Sequence, residues 1–294
     1  MPVLILILVA FGLSFGAAAQ SSPSKAQIEQ ATLAFLEAPT EAAHDTLASL
    51  LAAYDGPPSV QSVNAHLTLL AHDGAGENVQ RLQQTAGAAR LHLEPVAEIL
   101  PKQYLAARFH AAIAEFNAEK TENAAYEMAH IQGRSGEIDN RGVWPDWAKA
   151  QHYQAKAWAL AMLAELKADA ASAVSRAAYD EVLAAYAPIK AAPAEYGALP
   201  KCKGDMRNRA KLNAPKISGK RGQWGALILE YDLDQDGRVI NETVLAAVPA
   251  GAFEQDGLKW LKRGRFRAED RDEIGVTCRL NRRGIVQDLV FQID

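Results

Sequence analysis

The chain has 294 residues, with 31 Lys+Arg against 35 Asp+Glu, 49% hydrophobic and 22% charged residues, and two cysteines. These figures exclude a disordered chain, a collagen-like repeat and a disulfide-dense scaffold, and the formal charge of −4 argues against a nucleic-acid binder, which carries a basic surplus. The total conceals a division: residues 201–294 hold 18 basic and 14 acidic side chains and 10 of the 20 glycines, so the parts before and after residue 200 carry −8 and +4. Charges of opposite sign predict that the two parts dock on one another in a salt-sensitive way.

Residues 1–19 contain no charged side chain, are apolar from Val3 to Ala10 and again at Phe11, Leu13 and Phe15, and end in Ala17, Ala18 and Ala19. That layout predicts a secretory signal peptide, with Gln20 as the new N-terminus and a periplasmic destination. The alternative is an uncleaved inner-membrane anchor, since the run is near the lower length limit of a membrane span. In an oxidising compartment the two cysteines, Cys202 and Cys278, form a candidate disulfide. Cys278 also shares the apolar side of a strand pattern with Ile274, Val276 and Leu280, so a buried free thiol is the other reading.

Residues 20–200 read as an all-α domain, because apolar residues recur at spacings of three and four. Ile28, Leu33, Phe35 and Leu36 predict one helix, and Leu47, Leu50 and Leu51 a second, stopped by Asp55-Gly56-Pro57-Pro58. Further stripes follow at Tyr104, Leu105, Phe109, Ile113 and Phe116, at Tyr153, Ala157, Leu160, Leu163 and Leu166, and at Val174, Tyr179, Val182, Leu183 and Tyr186. Breaks are predicted at Asp73-Gly74, over residues 133–147 and at Pro188. Residues 101–131 and 147–188 resemble two degenerate tetratricopeptide-type units, the alternative being a non-repetitive bundle. All seven histidines lie here, none in an H-E-x-x-H or comparable spacing, and they are expected at the surface or at helix caps. Trp144-Pro145-Asp146-Trp147 is either a contact site or a plug between helices.

Residues 201–221, with eight basic side chains and one acidic, read as a basic linker. The periodicity then changes. Leu227, Leu229, Tyr231 and Leu233 alternate with Ala226, Ile228, Glu230 and Asp232, predicting a strand with one strongly apolar face. Asp234-Gln235-Asp236-Gly237 is turn chemistry. Asp232, Asp234 and Asp236 also match the start of a calcium loop, but the twelfth position is Thr243 where a bidentate Glu is needed. A second strand follows, then a short helix with Phe253, Leu258 and Leu261, then extended runs over residues 274–280 and 285–293. The fold class expected is α+β multidomain: an all-α helical-repeat-like domain followed by a small ββαβ domain over residues 222–294.

The run from Gly222 through Glu230-Tyr231-Asp232-Leu233-Asp234-Gln235-Asp236-Gly237-Arg238-Val239, then Pro249-Ala250-Gly251-Ala252-Phe253, Leu258, Leu261 and Arg265-Phe266, resembles the C-terminal domain of TonB-type energy transducers. The resemblance covers about 80 residues and implies a periplasmic domain that captures an extended segment of an outer-membrane receptor, or of another envelope partner, by adding it to a sheet edge. By that analogy the partner-binding edge is the last strand: Val286, Gln287, Asp288, Leu289, Val290, Phe291, Gln292 and Ile293. The chain departs from the family at Ile217-Ser218, Gly264 and Ala268, and a helical half stands where a transducer has an anchor and a Pro-rich spacer. The expectation is a non-enzymatic binding protein without cofactor, metal or nucleic acid, since no nucleophile elbow, carboxylate pair or ligand spacing is present. The alternative is a membrane-anchored energy transducer for transport across the outer membrane.

Overall fold

The computed structural model describes residues 22–76, 78–138, 144–168, 177, 180, 181, 184, 202–207, 224–251, 254–268 and 280–292. The expected export segment, most of the helical pattern from Val174 to Tyr186, and the strand pattern of Ile274, Val276 and Cys278 lie outside them. Compact packing divides the chain into Met1–Ala65 and His66–Asp294. No described helix is long and apolar enough to cross a membrane.

In the first unit α1 (Lys25–Glu37) packs on α2 (Glu41–Ala53). Ser24 caps α1 through a reciprocal capping box with Gln27, and Thr40 accepts from Ala43 N–H at the start of α2, so each helix begins with local partners for its free amides. Ile28, Thr32 and Phe35 are buried on α1, and His44, Leu47 and Leu51 on α2. Leu33 and Leu36, which the sequence placed in the same apolar stripe, are 56% and 61% exposed: the buried face follows the 28, 32, 35 spacing, and they fall beside it.

The divide falls within α3 (Val60–Ala75), which continues through the break expected at Asp73-Gly74. In the second unit α4 (Val79–Leu93), α5 (Pro101–Asn117), α6 (Thr121–Glu137) and α7 (Asp146–Ala168) each pack against the next. Pro101 opens α5, where its missing N–H costs nothing. α6 continues to Glu137, inside the predicted break of 133–147, because burial of Ile131, Gln132, Gly133, Ser135 and Gly136 outweighs the roughly 1 kcal/mol helix penalty of each glycine. The Trp144 indole N–H then donates to the Ser135 carbonyl at 2.9 Å, and its ring lies 4.8 Å from His152 and 5.8 Å from Tyr153. Trp147 packs on the core of Leu105, Met128, Ile131 and Met162, so both indoles plug the helical part.

The sheet is antiparallel, in the order β3 (Val239–Val248), β2 (Trp224–Leu233), β5 (Arg282–Gln292), with α8 (Glu254–Lys262) between β3 and β5 in sequence. The architecture is a helical part followed by a small antiparallel sheet part. Leu227, Leu229, Tyr231 and Leu233 form one core with Leu261 of α8. Gly257 lets α8 close on the sheet, since a Cβ there would collide with Leu227 Cδ2. The stretch expected to be only a linker contributes β1 (Gly204–Arg207), which pairs antiparallel with β4 (Arg265–Ala268) and brings Cys202 and Met206 to this core.

The sheet's other face is covered as well, which corrects the expectation of a single apolar face. Ala226 and Ile228 of β2, with Ala246 and Val248 of β3, pack on Ala157 and Ala161 of α7. The alternate residues Ala155, Ala159 and Met162 turn α7's opposite side into the helical core. Lys149 pairs with Glu230 at 3.0 Å and Lys156 with Asp288 at 2.7 Å. The signs reverse the docking expected from the totals of −8 and +4: at the contact, the helical part supplies the cations and the sheet the anions. Net charge acts at long range, whereas the contact is set by individual residues.

Two of the seven histidines depart from the expected surface or cap positions, while His72 is exposed. His44 and His66 are 4% and 5% exposed. The His66 ring lies 4.7 Å from that of His92, and burial, then the neighbouring His92, push the His66 pKa down to about 4. A neutral imidazole is tolerated in a core where an imidazolium is not. The unfolded chain, with an ordinary histidine near 6.5, binds a proton more readily than the folded one, so His66 withdraws stability as pH falls from about 6.5 towards 4. That loss reaches at most about 3 kcal/mol at roughly 1.4 kcal/mol per unit. Urea titrations at pH 7 and pH 4.5 should show a smaller acid loss for His66→Phe than for the parent; equal losses would remove His66 as the cause.

Candidate functional site

The residues singled out for partner binding lie on β5. Its register with β2 is unbroken over eight pairs, from Trp224↔Gln292 to Tyr231↔Ile285. Alternation then distributes the side chains: Ile285, Leu289 and Phe291 join the α8-side core, while Val286 joins the α7-side cluster. Gly225 makes room for Phe291, whose ring carbon Cε2 would lie 2.5 Å from a Cβ at that position. Asp288 accepts from Lys156 of α7, and Gln287 Nε2 donates to the Asp288 carbonyl at 3.1 Å. Val290 is 41% exposed. Ile293 lies outside the described residues.

Among the described residues β2 is the only strand paired with β5, so within them the outer side of β5 is a sheet edge. β3 is the opposite edge and is built differently. Its register shifts between Ile228 and Leu229 and between Glu230 and Asp232 of β2, and Asn241 sits at the second shift with φ of 53°. The Asn241 side-chain amide donates to Asp232 at 2.9 Å, and Glu242 pairs with Lys262 of α8 at 2.6 Å. A bulged, charged edge resists further pairing, whereas a regular one accepts it. Of the two edges among the described residues, β5 is the more regular.

The electrostatics beside β5 come from α7. Tyr153 lies between the two lysine pairs in sequence, and burial, then the Glu230 and Asp288 charges, raise its pKa. The phenol therefore stays neutral, and Lys156 is the α7 cation that pairs with the polar face of β5. At the far end of the strand the acids of the turn are engaged by the chain itself. Asp234 accepts from the amides of Asp236 and Arg238, each at 2.8 Å, and Asp232 from Gly284 N–H at 2.9 Å. For Asp234 this is turn chemistry, as its sequence position predicted, whereas the Asp232 bond ties β2 to the start of β5.

Cys202 is disulfide-bonded and 3% exposed, in the core with Leu227 and Leu261. Its candidate partner, Cys278, lies outside the described residues, and a Cys202–Cys278 bond is the pairing expected from the sequence. Such a bond closes a loop of about 75 residues and constrains the unfolded chain by about 4 kcal/mol. Intact mass should rise by two hydrogens on reduction, and reduction should lower the urea midpoint. No mass change, or a halved mass, would rule out the intrachain bond.

Sequence reasoning missed the contribution of α7 to this site. The signal was present in the small or apolar residues at alternate positions Ala226, Ile228 and Ala246, and in Ala157 and Ala161 four residues apart. Such residues pack close to a second surface as readily as they face water, so the pattern alone left their partner open. In comparisons with known proteins, no protein-family model and no curated protein matches the chain.

Proposed function

We propose that this is a non-enzymatic periplasmic protein of the TonB C-terminal type, a helical-repeat-like scaffold joined to a ββαβ-like domain that captures extended envelope peptides. The partner is a segment of an outer-membrane receptor or of another envelope protein, added as a strand to the outer side of β5. The observation that carries this reading is the contrast between a sheet covered on both faces, by α7 and α8, and a regular last strand left at its edge. The backbone donors and acceptors along that edge are what the sheet has left to offer a partner. The order β2, β3, α8, β4, β5, with β4 paired to β1 outside the three-stranded sheet, and the D-x-D-G turn between β2 and β3 support the family resemblance. α7 lies directly on the sheet where a transducer has a long spacer, which favours capture over force transmission.

A crosslinker installed at Gln287 should capture the N-terminal segment of an outer-membrane receptor or another envelope protein in intact cells. The exposed substitution Val290→Lys should reduce the yield about tenfold, because a lysine on an edge strand disfavours pairing. Recovery of no envelope partner would sink the reading. Placement is tested separately: N-terminal sequencing of chain recovered from the periplasm should begin at Gln20, and a membrane-bound chain retaining Met1 would instead support the anchored transducer.

A further inference from the structure

The ribbon of β1 and β4 has one face in the core and one in water. Met206 and Phe266, directly opposite one another, turn towards Leu227 and Leu261. Their neighbours along each strand point the other way. Arg207 stands directly opposite Arg265, and Arg265 is bridged on its other side by Arg238, the residue before β3. Bridged residues share a face, with Cβ atoms about 4.5–5.5 Å apart, so three exposed arginines form one transverse row. Arg267 is exposed two residues further along β4.

Lys149, Lys156 and Lys262 each engage a carboxylate, at 3.0, 2.7 and 2.6 Å. By contrast, nothing among the described residues accepts from the side chains of Arg207, Arg265 or Arg267. Asp236 comes only within 4.0 Å of Arg238, and Asp205 stands opposite Arg267 in the ribbon. Four more acids, at 269, 270, 272 and 273, follow β4 in sequence. Like charges set directly opposite one another destabilise a strand pair. The ribbon packs through Met206 and Phe266, so the repelling row is not a by-product of core packing. Its repulsion falls when an array of anions lies alongside.

The row is open to solvent, which suits an extended array of anions better than a single enclosed ion. Ile240 narrows the choice. It is 41% exposed and stands two residues from Arg238, on the same face by alternation. An aliphatic side chain in water beside a row of cations matches the boundary of a bilayer, where headgroups take the charges and acyl chains the apolar atoms; a soluble polyanion has no place for it. We propose that the outer face of the β1–β4 ribbon docks on an anionic lipid bilayer, with Arg207, Arg238, Arg265 and Arg267 on phosphate headgroups and Ile240 at the acyl boundary. The +4 charge of residues 201–294 favours the same encounter. None of these residues belongs to β5, so the proposal does not rest on strand addition.

The test mixes the mature full chain with vesicles of phosphatidylcholine, alone or with about a third phosphatidylglycerol, and measures co-sedimentation at low and high salt. At low salt the anionic vesicles should bind about tenfold more tightly than the neutral ones, and high salt should remove most of that excess. Arg265→Gln, at the centre of the row, should weaken binding about fivefold, and Arg207→Gln with Arg265→Gln should abolish the excess. Arg265→Lys should retain it, since a field of headgroups reads charge and not the guanidinium fork. The exposed, self-repelling row predicts urea midpoints no lower than the parent's for these variants, which separates lost binding from lost folding. Equal binding to both vesicles, or an excess that survives the double substitution, overturns the proposal. An excess unchanged by Ile240→Ser reassigns the row to soluble polyanions and overturns the bilayer as its partner.

Discussion

Helix α7 is apolar on two sides, and neither side can be left to water. One is filled by the helical core around Met128 and Met162, the other by Ala226, Ile228, Ala246 and Val248 of the sheet. Full burial of Ile228 or Val248 is worth about 1.5–3 kcal/mol, against roughly 0.8 for an alanine methyl and 0–1 for each half-exposed lysine pair. The aliphatic contacts hold α7 to the sheet, then, and the charges only trim it. A helix buried on both sides also explains why the sheet part does not stand apart from the helices that precede it.

This arrangement bears on recognition. With α7 on one face and α8 on the other, a partner has no apolar face of the sheet to occupy. On the strand-addition reading, what remains among the described residues is the margin of β5, where a ligand would be read through its backbone and through side chains that alternate between the two flanks. On the α8 flank such a ligand would meet Leu289 and Phe291, and on the α7 flank Asp288, already balanced by Lys156. A segment with apolar residues at every second position matches the first, and small or polar residues match the second.

Local patterns were legible in the sequence wherever one residue type answers one physical demand. The D-x-D-G turn, the alternation of β2, the periodicity of α5 and the amphipathic α8 follow from spacing alone. The long-range choices were not. Gly133 and Gly136 look like helix breakers until their burial is known, and the lead-in at 204–207 has no periodicity because its strand is four residues long and finds its partner some sixty residues later. The resemblance pointed to β5 as the partner edge, whereas the contrast between β5 and β3 depends on a bulge at Asn241 that sequence does not announce.

The alanine contact between α7 and the sheet has a weakness of its own. Surfaces made of methyl groups are smooth, and a smooth helix can slide along its axis or rotate without losing much contact area. Lys149 and Lys156 stand seven residues apart, two helical turns or about 10.5 Å along the axis, and each engages an acid on a different strand. A shift of one turn separates both pairs together, leaving Glu230 and Asp288 half-buried without their cations. The two ion pairs thus act as a vernier, contributing little to how firmly the helix is held and much to where it stops.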